Sequence, residues 1–379
     1  MKIVFFISGM GGIGGAQRVV SNLYHYFKSH GHSVKIITTN NSNYNGNSYS
    51  INNDDIKQLH FIVNPPITLS LFERIKQKLS RIFVRDKKFV EHYYFNLKKS
   101  KELISYLKTE PADVIFSFMD YQNIIVGMAA KKINAKIIMA ERSYPDRYSK
   151  TFTNLRNRCY NKADYCVFQT KEQMAFFPQT IQRKSVVIYN PIKDELPEVY
   201  HDVRKKVIVT YCRLQKQKNI PLLIKAFSKV ANKYNEYRLE IYGYGELQDE
   251  LQSLIDDLNL TGKVSLLPFD PDIHNKIVGY SMFVMTSDYE GMPNSLIEAM
   301  AIGLPVISTD CDGGGAKAVI ENGVNGILVP KGDVNAVAAA MEELIEHPEK
   351  AEFLSKNAVK IREQLAVEKI AAEWLKLAE

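Results

Sequence analysis

Short apolar runs alternate with helix-length segments along the whole chain. In the first half, the strand-like runs lie at residues 3–7, 33–38, 113–116, 136–139, 165–168 and 186–188. After a polar stretch they resume at residues 207–210, 238–242, 264–267, 282–285, 306–308 and 326–329. Buried parallel strands are continuous apolar runs joined by helical crossovers. The pattern therefore predicts an α/β protein with two parallel sheets.

The restart of the pattern after Asn190 and Pro191 marks a domain boundary. A chain of 379 residues is long for one core and suits two domains of ordinary size. We predict a first domain over residues 1–190, a second over residues 191–355 and a final helical segment over residues 356–379. The segment 40–55, rich in asparagine and serine, is predicted to be a mobile connection.

Composition favours a reduced, cytoplasmic protein without a metal or a cofactor. The apolar run at residues 3–7 is too short for a signal sequence or a membrane span. The four cysteines are scattered and lack the spacings of zinc sites. Two Asp-x-Asp triplets, at residues 270–272 and 310–312, stand in turn-like surroundings. Turn formation explains these triplets better than a divalent metal site does.

Positive charge is concentrated in the first half of the chain. Residues 1–190 hold 28 lysines and arginines against 13 aspartates and glutamates, a net +15, which leaves −8 for the remainder of a chain of net charge +7. The excess is densest between Arg74 and Lys101, where ten basic residues face only Asp86 and Glu91. A surface this basic indicates an anionic partner.

The basic segment 74–101 also has an apolar stripe, because Ile75, Leu79 and Ile82 fall on one side of a predicted helix. A basic amphipathic helix can lie in the headgroup region of an anionic bilayer, where each cation adds about 1 kcal/mol. The alternative is a solvated helix whose stripe packs on the domain core. Nucleic-acid binding is not predicted, because no stacking platform or reading motif accompanies the charge.

Candidate chemistry follows the strand at residues 282–285. Glu290 and Glu298, with seven residues between them, lie after this strand, and Pro293 and Asn294 start a helix. Open α/β sheets bind ligands at the carboxyl ends of their strands, where helix N-termini and free backbone N–H groups converge. A capping box over residues 295–298 accounts for Glu298 equally well, but it does not explain Glu290.

Two further polar clusters follow strands. Arg213 and Lys218 come directly after the strand at residues 207–210, and together they are suited to bind a diphosphate. The glycines at residues 9–14 satisfy the Gly-x-Gly-x-x-Gly pattern of dinucleotide-binding proteins. Such proteins need an acidic residue at the end of the second strand, whereas residues 38–41 are threonine and asparagine. A dinucleotide-dependent oxidoreductase is therefore disfavoured, and the glycines suit close approach of a phosphate or an acceptor sugar.

These clusters resemble the retaining GT-B glycosyltransferases of the large family 4 type, which carry an E-x7-E motif. Arg213 and Lys218 match that family's Arg and Lys, and Glu290 and Glu298 match its two glutamates. Residues 14–18, Gly-Gly-Ala-Gln-Arg, are similar to its Gly-Gly-Ala-Glu-Arg loop. Further segments match in order at residues 242–245, 303–307, 314–315 and 325–333. The resemblance covers most of the chain.

The resemblance implies a fold and a reaction. The fold is GT-B, with two Rossmann-like, doubly wound parallel-sheet domains facing a cleft and the last helix, with Trp374, crossing back to the N-terminal domain. The N-terminal domain would bind the acceptor and the C-terminal domain a nucleotide sugar, with a UDP-sugar favoured. Transfer would retain the anomeric configuration, because the leaving diphosphate itself takes the acceptor proton on the same face.

The resemblance also assigns residues to roles. Arg213 and Lys218 would neutralise the leaving diphosphate, Glu290 would lie beside the transferred sugar, and Glu298 would hold the ribose hydroxyls. The other substrate-binding residues that it implies are Gly12, Gly15, Arg18, Asp120, Gly291, Met292, Pro293 and Asn294. Asp120 stands where many members have a histidine, and it either replaces that histidine or caps a helix. Gln17 and Ala318 stand where the family has glutamates.

The expected substrates come from the same resemblance. Residues 141–143, Glu-Arg-Ser, are similar to a Glu-Arg-Asn segment of members that transfer N-acetylhexosamines in polysaccharide or lipid-linked oligosaccharide assembly. This implies a UDP-N-acetylhexosamine donor, a polyprenyl-diphosphate-linked saccharide acceptor and a peripheral location on the inner face of the membrane. Two alternatives stay open: a GT-B sugar-nucleotide epimerase or hydrolase, and a non-catalytic sugar-nucleotide-binding subunit.

Overall fold

The computed structural model describes residues 1–11, 14–39, 50–59, 68–83, 86–142, 144, 148–192 and 195–379, with the backbone alone for residues 81–83. The chain forms two compact units. Unit 1 comprises Met1–Pro191 and Val367–Glu379, and unit 2 comprises Ile192–Ala366. Each unit is a parallel sheet with flanking helices, which confirms the predicted α/β class. Within the described part of the chain, no helix has both the length and the hydropathy needed to span a bilayer.

Unit 1 is built on a seven-stranded parallel sheet. Its strands are β1 (Lys2–Ile7), β2 (Ser33–Thr38), β3 (Ile56–Gln58), β4 (Val114–Phe118), β5 (Lys136–Ala140), β6 (Tyr165–Phe168) and β7 (Ser185–Val187). Their order in the sheet is β3-β2-β1-β4-β5-β6-β7. The chain therefore runs one way from β1 to β3 and the other way from β4 onwards. This reversal makes the gap between β1 and β4 the topological switch point of the sheet.

Helices connect these strands. In unit 1 they are α1 (Gly15–Ser29), α2 (Leu71–Phe83), α3 (Lys87–Thr109), α4 (Asp120–Ala129), α5 (Lys150–Tyr160), α6 (Lys171–Ala175), α7 (Gln179–Gln182) and, from the C-terminus, α15 (Val367–Ala378). The last helix packs against α1. The predicted return of the final helix to the N-terminal domain is thereby confirmed, and the chain re-enters unit 1 at Val367, later than residue 356.

Aromatic residues on one face of the sheet explain why α15 docks there. Trp374 is fully buried, and its ring lies 5.6 Å from that of Phe116 and 5.4 Å from that of Phe118. Phe5 on β1 stacks on Phe27 and on Phe116, with centroid distances of 5.9 and 5.5 Å. Large aromatic side chains bury 150–250 Å² each, on the order of several kcal/mol of hydrophobic stabilisation. Trp374 thus anchors the C-terminal helix.

One strand of unit 1 is absent from the sequence prediction. β3 has three residues, too few to show an alternating or continuous apolar pattern. Just before it, Asp55 falls in the segment predicted to be a mobile connection, of which residues 40–49 lie outside the described part. Asp55 is buried and accepts hydrogen bonds from Tyr24, Lys28 and Lys35 at 2.8–2.9 Å. The described end of that segment is therefore held firmly to α1 and β2.

Unit 2 is built on a six-stranded parallel sheet. Its strands are β8 (Lys205–Tyr211), β9 (Arg238–Tyr242), β10 (Val264–Leu267), β11 (Tyr280–Met285), β12 (Val306–Asp310) and β13 (Ile327–Pro330). Their order is β10-β9-β8-β11-β12-β13, so the switch point lies between β8 and β11. All six strands lie where the apolar runs predict them.

The helices of unit 2 cover both faces of this sheet. They are α8 (Ile220–Lys233), α9 (Gln248–Asp257), α10 (Ile273–Ile277), α11 (Asn294–Ala301), α12 (Val334–Glu346), α13 (Pro348–Ala358) and α14 (Ile361–Gln364). Leu223 and Phe227 of α8 belong to the same buried cluster as Ile241, Val284 and Met341. This core fixes the positions at which the loops after β8 and β11 leave the sheet.

Candidate functional site

The predicted cations and glutamates of unit 2 lie at its switch point. β8 pairs with β11 in parallel, so both strands end at the same edge of the sheet. Arg213 and Lys218 lie in the loop after β8, and Glu290 lies in the loop after β11. The structure therefore brings together two segments that are more than seventy residues apart in sequence.

Hydrogen bonds tie the two loops to each other. The backbone N–H of Asp288 donates to Gln217 at 2.9 Å, and the Gln217 side chain donates back to the carbonyl of Tyr289 at 2.8 Å. The Asn219 side chain donates to the Asp288 carboxylate at 2.8 Å. Asn219 has a positive φ of 44°, a conformation that asparagine tolerates better than most residues. These bonds give the loops one fixed arrangement.

Lys218 and Glu290 form a direct ion pair. Lys218 Nζ lies 2.5 Å from Glu290 Oε1, which also accepts a hydrogen bond from Ser287 Oγ at 2.8 Å. Burial is the largest single influence and lowers the pKa of Lys218, but the charge and hydrogen bond of Glu290, together with the charge interaction with Cys212, outweigh burial and raise this pKa. Lys218 is therefore a permanent cation at neutral pH, and its ammonium group has donors left over for a ligand.

Arg213 differs from Lys218 in its surroundings. Its side chain is exposed, and among the described residues it has no hydrogen bond or ion pair. Its charge still acts on Lys218, whose pKa it lowers slightly. Two cations thus lie near each other at the end of β8, and one of them is free to turn towards an anion. Such a pair suits a diphosphate.

The turn after Glu290 leads directly into α11. This helix starts at Asn294 after Pro293, and no side chain caps it. A Cβ on Gly315 would come within 2.1 Å of the carbonyl oxygen of Gly291, so only glycine lets the 313–315 loop support this turn. The predicted substrate-binding residues Gly291, Met292, Pro293 and Asn294 therefore surround the N-terminus of a helix, where backbone N–H groups favour negative charge.

Helix α11 begins at Asn294 with Pro293 as its N-cap, so Ser295 lies inside it and is not the N-cap that a capping box over residues 295–298 requires. Glu298 lies in the buried part of α11, and its Oε2 is 2.9 Å from Nε2 of His274 on α10. Tyr211, the last residue of β8, packs its ring on His274 with a centroid distance of 5.7 Å and donates its hydroxyl to the carbonyl of Ser295. His274 thus helps to orient the carboxylate of Glu298.

Sequence reasoning missed both His274 and Tyr211. His274 follows the turn that contains Asp270 and Asp272 and stands between Ile273 and Asn275, in a segment without a motif that would mark it as a site residue. Tyr211 cannot be distinguished in the sequence from the other residues of its strand. Their roles become visible only when β8, α10 and α11 are brought together, because the three segments are distant in sequence.

The Asp-x-Asp triplets serve the local structure. Asp270 accepts a hydrogen bond from the backbone N–H of Asp272 at 2.9 Å and pairs with Lys276 at 3.0 Å. Asp312 pairs with Lys331 at 2.6 Å. Within the described ranges, no three His, Cys, Asp or Glu side chains converge as metal ligands. All four cysteines are free thiols.

The predicted substrate-binding residues near the start of unit 1 lie in the loop after β1 and in the first turn of α1. Gly12 lies outside the described residues. Gly15 is the first residue of α1, and Arg18 donates its backbone N–H to Gly14 at 3.1 Å. A Cβ on Gly14 would meet the side chain of Gln17 at 2.1 Å, so Gln17 folds back over the glycine loop. The loop after β1 therefore opens onto the start of a helix, at the switch point of the sheet.

Asp120 occupies the equivalent position after β4. It is the first residue of α4, and its Oδ1 accepts the backbone N–H of Tyr121 at 2.8 Å. The residue before it, Met119, has a φ of 79°, which is rare for a residue with a side chain. This backbone turn directs the chain from β4 into α4 and leaves the buried Asp120 at the carboxyl edge of the sheet.

Comparisons with known proteins identify the family. The model of Glycosyltransferase Family 4 matches residues 13–196, and the model of Glycosyl transferases group 1 matches residues 192–361. An uncharacterized glycosyltransferase of Haemophilus influenzae is 25% identical over 98% of both chains. The N-acetylgalactosamine-N,N'-diacetylbacillosaminyl-diphospho-undecaprenol 4-alpha-N-acetylgalactosaminyltransferase of Campylobacter jejuni is 31% identical over 66% of this chain and 71% of that protein.

A solved structure agrees in fold. The Anabaena HepE protein, crystallised in complex with UDP, superposes with a TM-score of 0.80 at 19% sequence identity and with 99% of each chain covered. This likeness establishes the GT-B architecture of the two units. Taken with the two family models, it shows that the chain belongs to the family 4 glycosyltransferases and is a hexosyltransferase of glycan biosynthesis.

Proposed function

We propose that this enzyme is a retaining glycosyltransferase that moves an N-acetylhexosamine from a UDP-sugar to a lipid-linked saccharide. The observation that carries the proposal is the pairing of Lys218 with Glu290 at 2.5 Å beside Arg213, at the switch point of unit 2. Breaking the bond between the anomeric carbon and a nucleoside diphosphate develops negative charge on the β-phosphate. Fixed cations at that position lower the barrier more than they favour the bound substrate.

Each residue then has a role that its surroundings support. Arg213 and Lys218 bind the leaving diphosphate, together with backbone N–H groups of the turn at Gly291 and the dipole of α11. Glu290 faces the transferred sugar and holds Lys218. Glu298, oriented by His274, accepts the ribose hydroxyls. Asp120 and the loop before Gly15 and Arg18 in unit 1 bind the acceptor.

The stereochemical course follows from this assignment. A retaining transfer without a protein nucleophile needs the acceptor oxygen to attack from the face that the diphosphate leaves. The diphosphate oxygen then takes the proton of the acceptor hydroxyl, so no additional base is required. Anomeric assignment of the product by NMR tests this step, since an inverted product would exclude it.

The donor and the acceptor are inferred from relatives. HepE was crystallised with UDP, and the name of the Campylobacter jejuni enzyme gives an N-acetylgalactosaminyl donor group and a diphospho-undecaprenol acceptor. These names support a UDP-N-acetylhexosamine and a polyprenyl-diphosphate-linked saccharide for this chain. Incubation with a panel of UDP- and GDP-sugars, with and without a lipid-linked acceptor, tests the proposal through acceptor-dependent release of nucleotide.

Membrane docking by α2 is the second part of the proposal. Four apolar residues in the described part of this helix face solvent, with exposed fractions of 74% for Leu71, 65% for Phe72, 47% for Ile75 and 48% for Leu79. Lys76 lies over the ring of Phe72 at 4.5 Å. An exposed apolar stripe beside cations suits the headgroup region of an anionic bilayer, which holds the enzyme on the inner face of the membrane.

The basic segment 74–101 is not one uniform surface. α3, which forms its second half, buries Val90 and Tyr94 in unit 1. Lys99 is also buried there and pairs with Glu102 at 2.8 Å. The two interpretations of this segment, a membrane-surface helix and a helix packed on the domain core, therefore apply to different helices. The stripe of α2 is exposed, whereas the apolar side of α3 packs on the core. α2 is the part proposed to contact lipid.

A further inference from the structure

Arg142 is a partly buried arginine whose guanidinium group has one edge without a hydrogen-bond partner among the described residues. It follows β5 in unit 1, and its Nη1 donates to Oδ1 of Asn190 at 2.9 Å. Its Nε and Nη2 are shielded from solvent and have no acceptor among the described residues. These two nitrogens lie on the same edge of the guanidinium group and form the fork that binds two oxygens at once. Ser143, the next residue, lies outside the described part.

Aromatic rings fix the orientation of this guanidinium group. Its central carbon lies 5.5 Å from the centre of the Phe118 ring and 5.2 Å from that of Trp374. Asn190 is itself fixed, because its Oδ1 also accepts the side-chain amide of Gln169 at 3.0 Å. A planar cation that contacts two rings and is anchored at Nη1 keeps its free edge aimed in one direction.

The nearest carboxylate does not fill this edge. Glu141 is fully buried, but its Oε1 accepts the backbone N–H of Arg142 at 3.0 Å and its Oε2 accepts the hydroxyl of Tyr160 at 2.8 Å. Burial lowers the pKa of Arg142 to about 9, and the charge of Glu141 offsets part of this effect. The guanidinium therefore stays charged at neutral pH.

A cation with two shielded N–H donors that make no hydrogen bond is costly unless a partner completes them. Unpaired buried donors each lose their full solvation, and charged donors lose more than neutral ones. Natural structures leave few such groups, and each calls for an explanation such as a bound ion or ligand. Arg142 lies just beyond the carboxyl end of β5, on the edge where such sheets bind ligands.

We infer that the Nε and Nη2 edge of Arg142 binds two oxygens of a phosphoryl group on the acceptor substrate. The inference deepens the proposed function and rests on unit 1 being the acceptor-binding unit. The chemical class is an acceptor joined through a phosphate or diphosphate. Arg142 is a binding residue for the acceptor and takes no part in breaking the donor bond.

Calorimetric titration with inorganic pyrophosphate tests this assignment. UDP is titrated first, and failure of UDP to bind counts against the proposed function alone. Pyrophosphate is then titrated into the protein with saturating UDP, which occupies the second phosphate site. We expect binding to the wild type to weaken at least tenfold in Arg142→Lys, which keeps the charge and loses the fork. Arg158→Lys, an exposed arginine on α5, is the matched control and should bind as the wild type does.

A second variant separates ligand binding from a structural role. Asn190→Asp keeps an acceptor for Nη1 and adds a negative charge that competes with an incoming anion. We expect this variant to melt at a higher temperature than the wild type without ligand, and to gain less from pyrophosphate. Equal pyrophosphate affinities for wild type and Arg142→Lys, with or without UDP, would overturn the inference. Binding of glucuronate in place of pyrophosphate would overturn the phosphoryl assignment by pointing to a carboxylate-bearing saccharide.

Discussion

The sheets of the two units share the same order over six strands, yet the charged residues beyond the carboxyl ends of their strands differ in how they are paired. In unit 2, Lys218 is paired with Glu290 and Glu298 with His274 before any ligand arrives, and the exposed Arg213 lies beside them. In unit 1, Arg142 keeps the edge of its guanidinium unused.

Charges that are paired before binding and a cation that is completed only by its ligand are two ways to prepare a site for an anion. A site whose charges are already paired can exchange part of that pairing for a leaving diphosphate without moving its backbone. A site with an unfilled cation gains its missing hydrogen bonds when the ligand arrives, which suits recognition of an acceptor.

Removing a cation from the unit 2 switch point should have the largest effect on activity. Lys218→Gln leaves the developing charge on the diphosphate without one fixed donor, and we expect kcat to fall about 10²- to 10³-fold. Lys216→Gln is the matched control, because Lys216 is an exposed cation on the same short loop. Steady-state rates with the best donor of the panel measure both variants. Equal losses in the two variants would mean that general surface charge, not the position of Lys218, supports catalysis.

Neutralising Glu298 should weaken donor binding more than chemistry. A lost hydrogen bond to a charged group costs about 1.5–3 kcal/mol, so Glu298→Gln should raise KM for the UDP-sugar about 10- to 150-fold with a smaller change in kcat. Glu349→Gln removes one partner of an exposed His–Glu pair elsewhere in unit 2 and serves as the control. A loss confined to kcat would place Glu298 at the reacting sugar rather than at the ribose.

Charging the α2 stripe should release unit 1 from lipid. Phe72→Asp with Leu79→Asp places two carboxylates in the proposed headgroup contact, and we expect partitioning onto anionic vesicles to fall about tenfold or more. Phe353→Asp changes another exposed phenylalanine, in unit 2, and should leave partitioning unchanged. Vesicle flotation measures all three proteins. Unchanged flotation of the double variant would exclude α2 as the docking helix.

The smallest predicted effect concerns the acid stability of unit 1. Burial alone would raise the pKa of Asp55, but hydrogen bonds from Lys35, Lys28 and Tyr24 lower it from 3.8 to about 2. Because the folded pKa lies below the unfolded one, this stabilisation is complete above pH 4 and is lost as the pH falls from about 4 towards 2. Both lysines are partly exposed, so we expect a contribution of about 1 kcal/mol.

Chemical denaturation across this pH range measures that contribution. The unfolding free energy of Asp55→Asn should change less between pH 4 and pH 2 than that of the wild type. The same slope for both proteins would show that the ion pairs of Asp55 add no stability.

Most of the fold and about half of the site chemistry are readable in the sequence. Twelve of the thirteen strands show as apolar runs, because parallel strands are buried on both faces. The proximity of Lys218 and Glu290 is also predictable, because both lie in loops that follow such runs. The three-residue strand β3 is not predicted, because three residues are too few to show a periodic pattern of apolar residues.

The remaining site chemistry depends on tertiary contacts. The partner of Glu298 could not be predicted, since His274 meets it only after α10 and α11 pack. The unused edge of Arg142 is a property of the surroundings rather than of the residue. It arises from Asn190, Phe118 and Trp374, which come from three distant parts of the chain.

A crystal structure with an intact UDP-sugar would show whether the switch point of unit 2 binds the donor. We expect the diphosphate within hydrogen-bonding distance of Arg213 and Lys218, at the start of α11 in unit 2, with the ribose on Glu298. A UDP-sugar bound instead at the glycine loop of unit 1, with Lys218 and Glu290 still paired and distant from it, would rule out the proposed donor site.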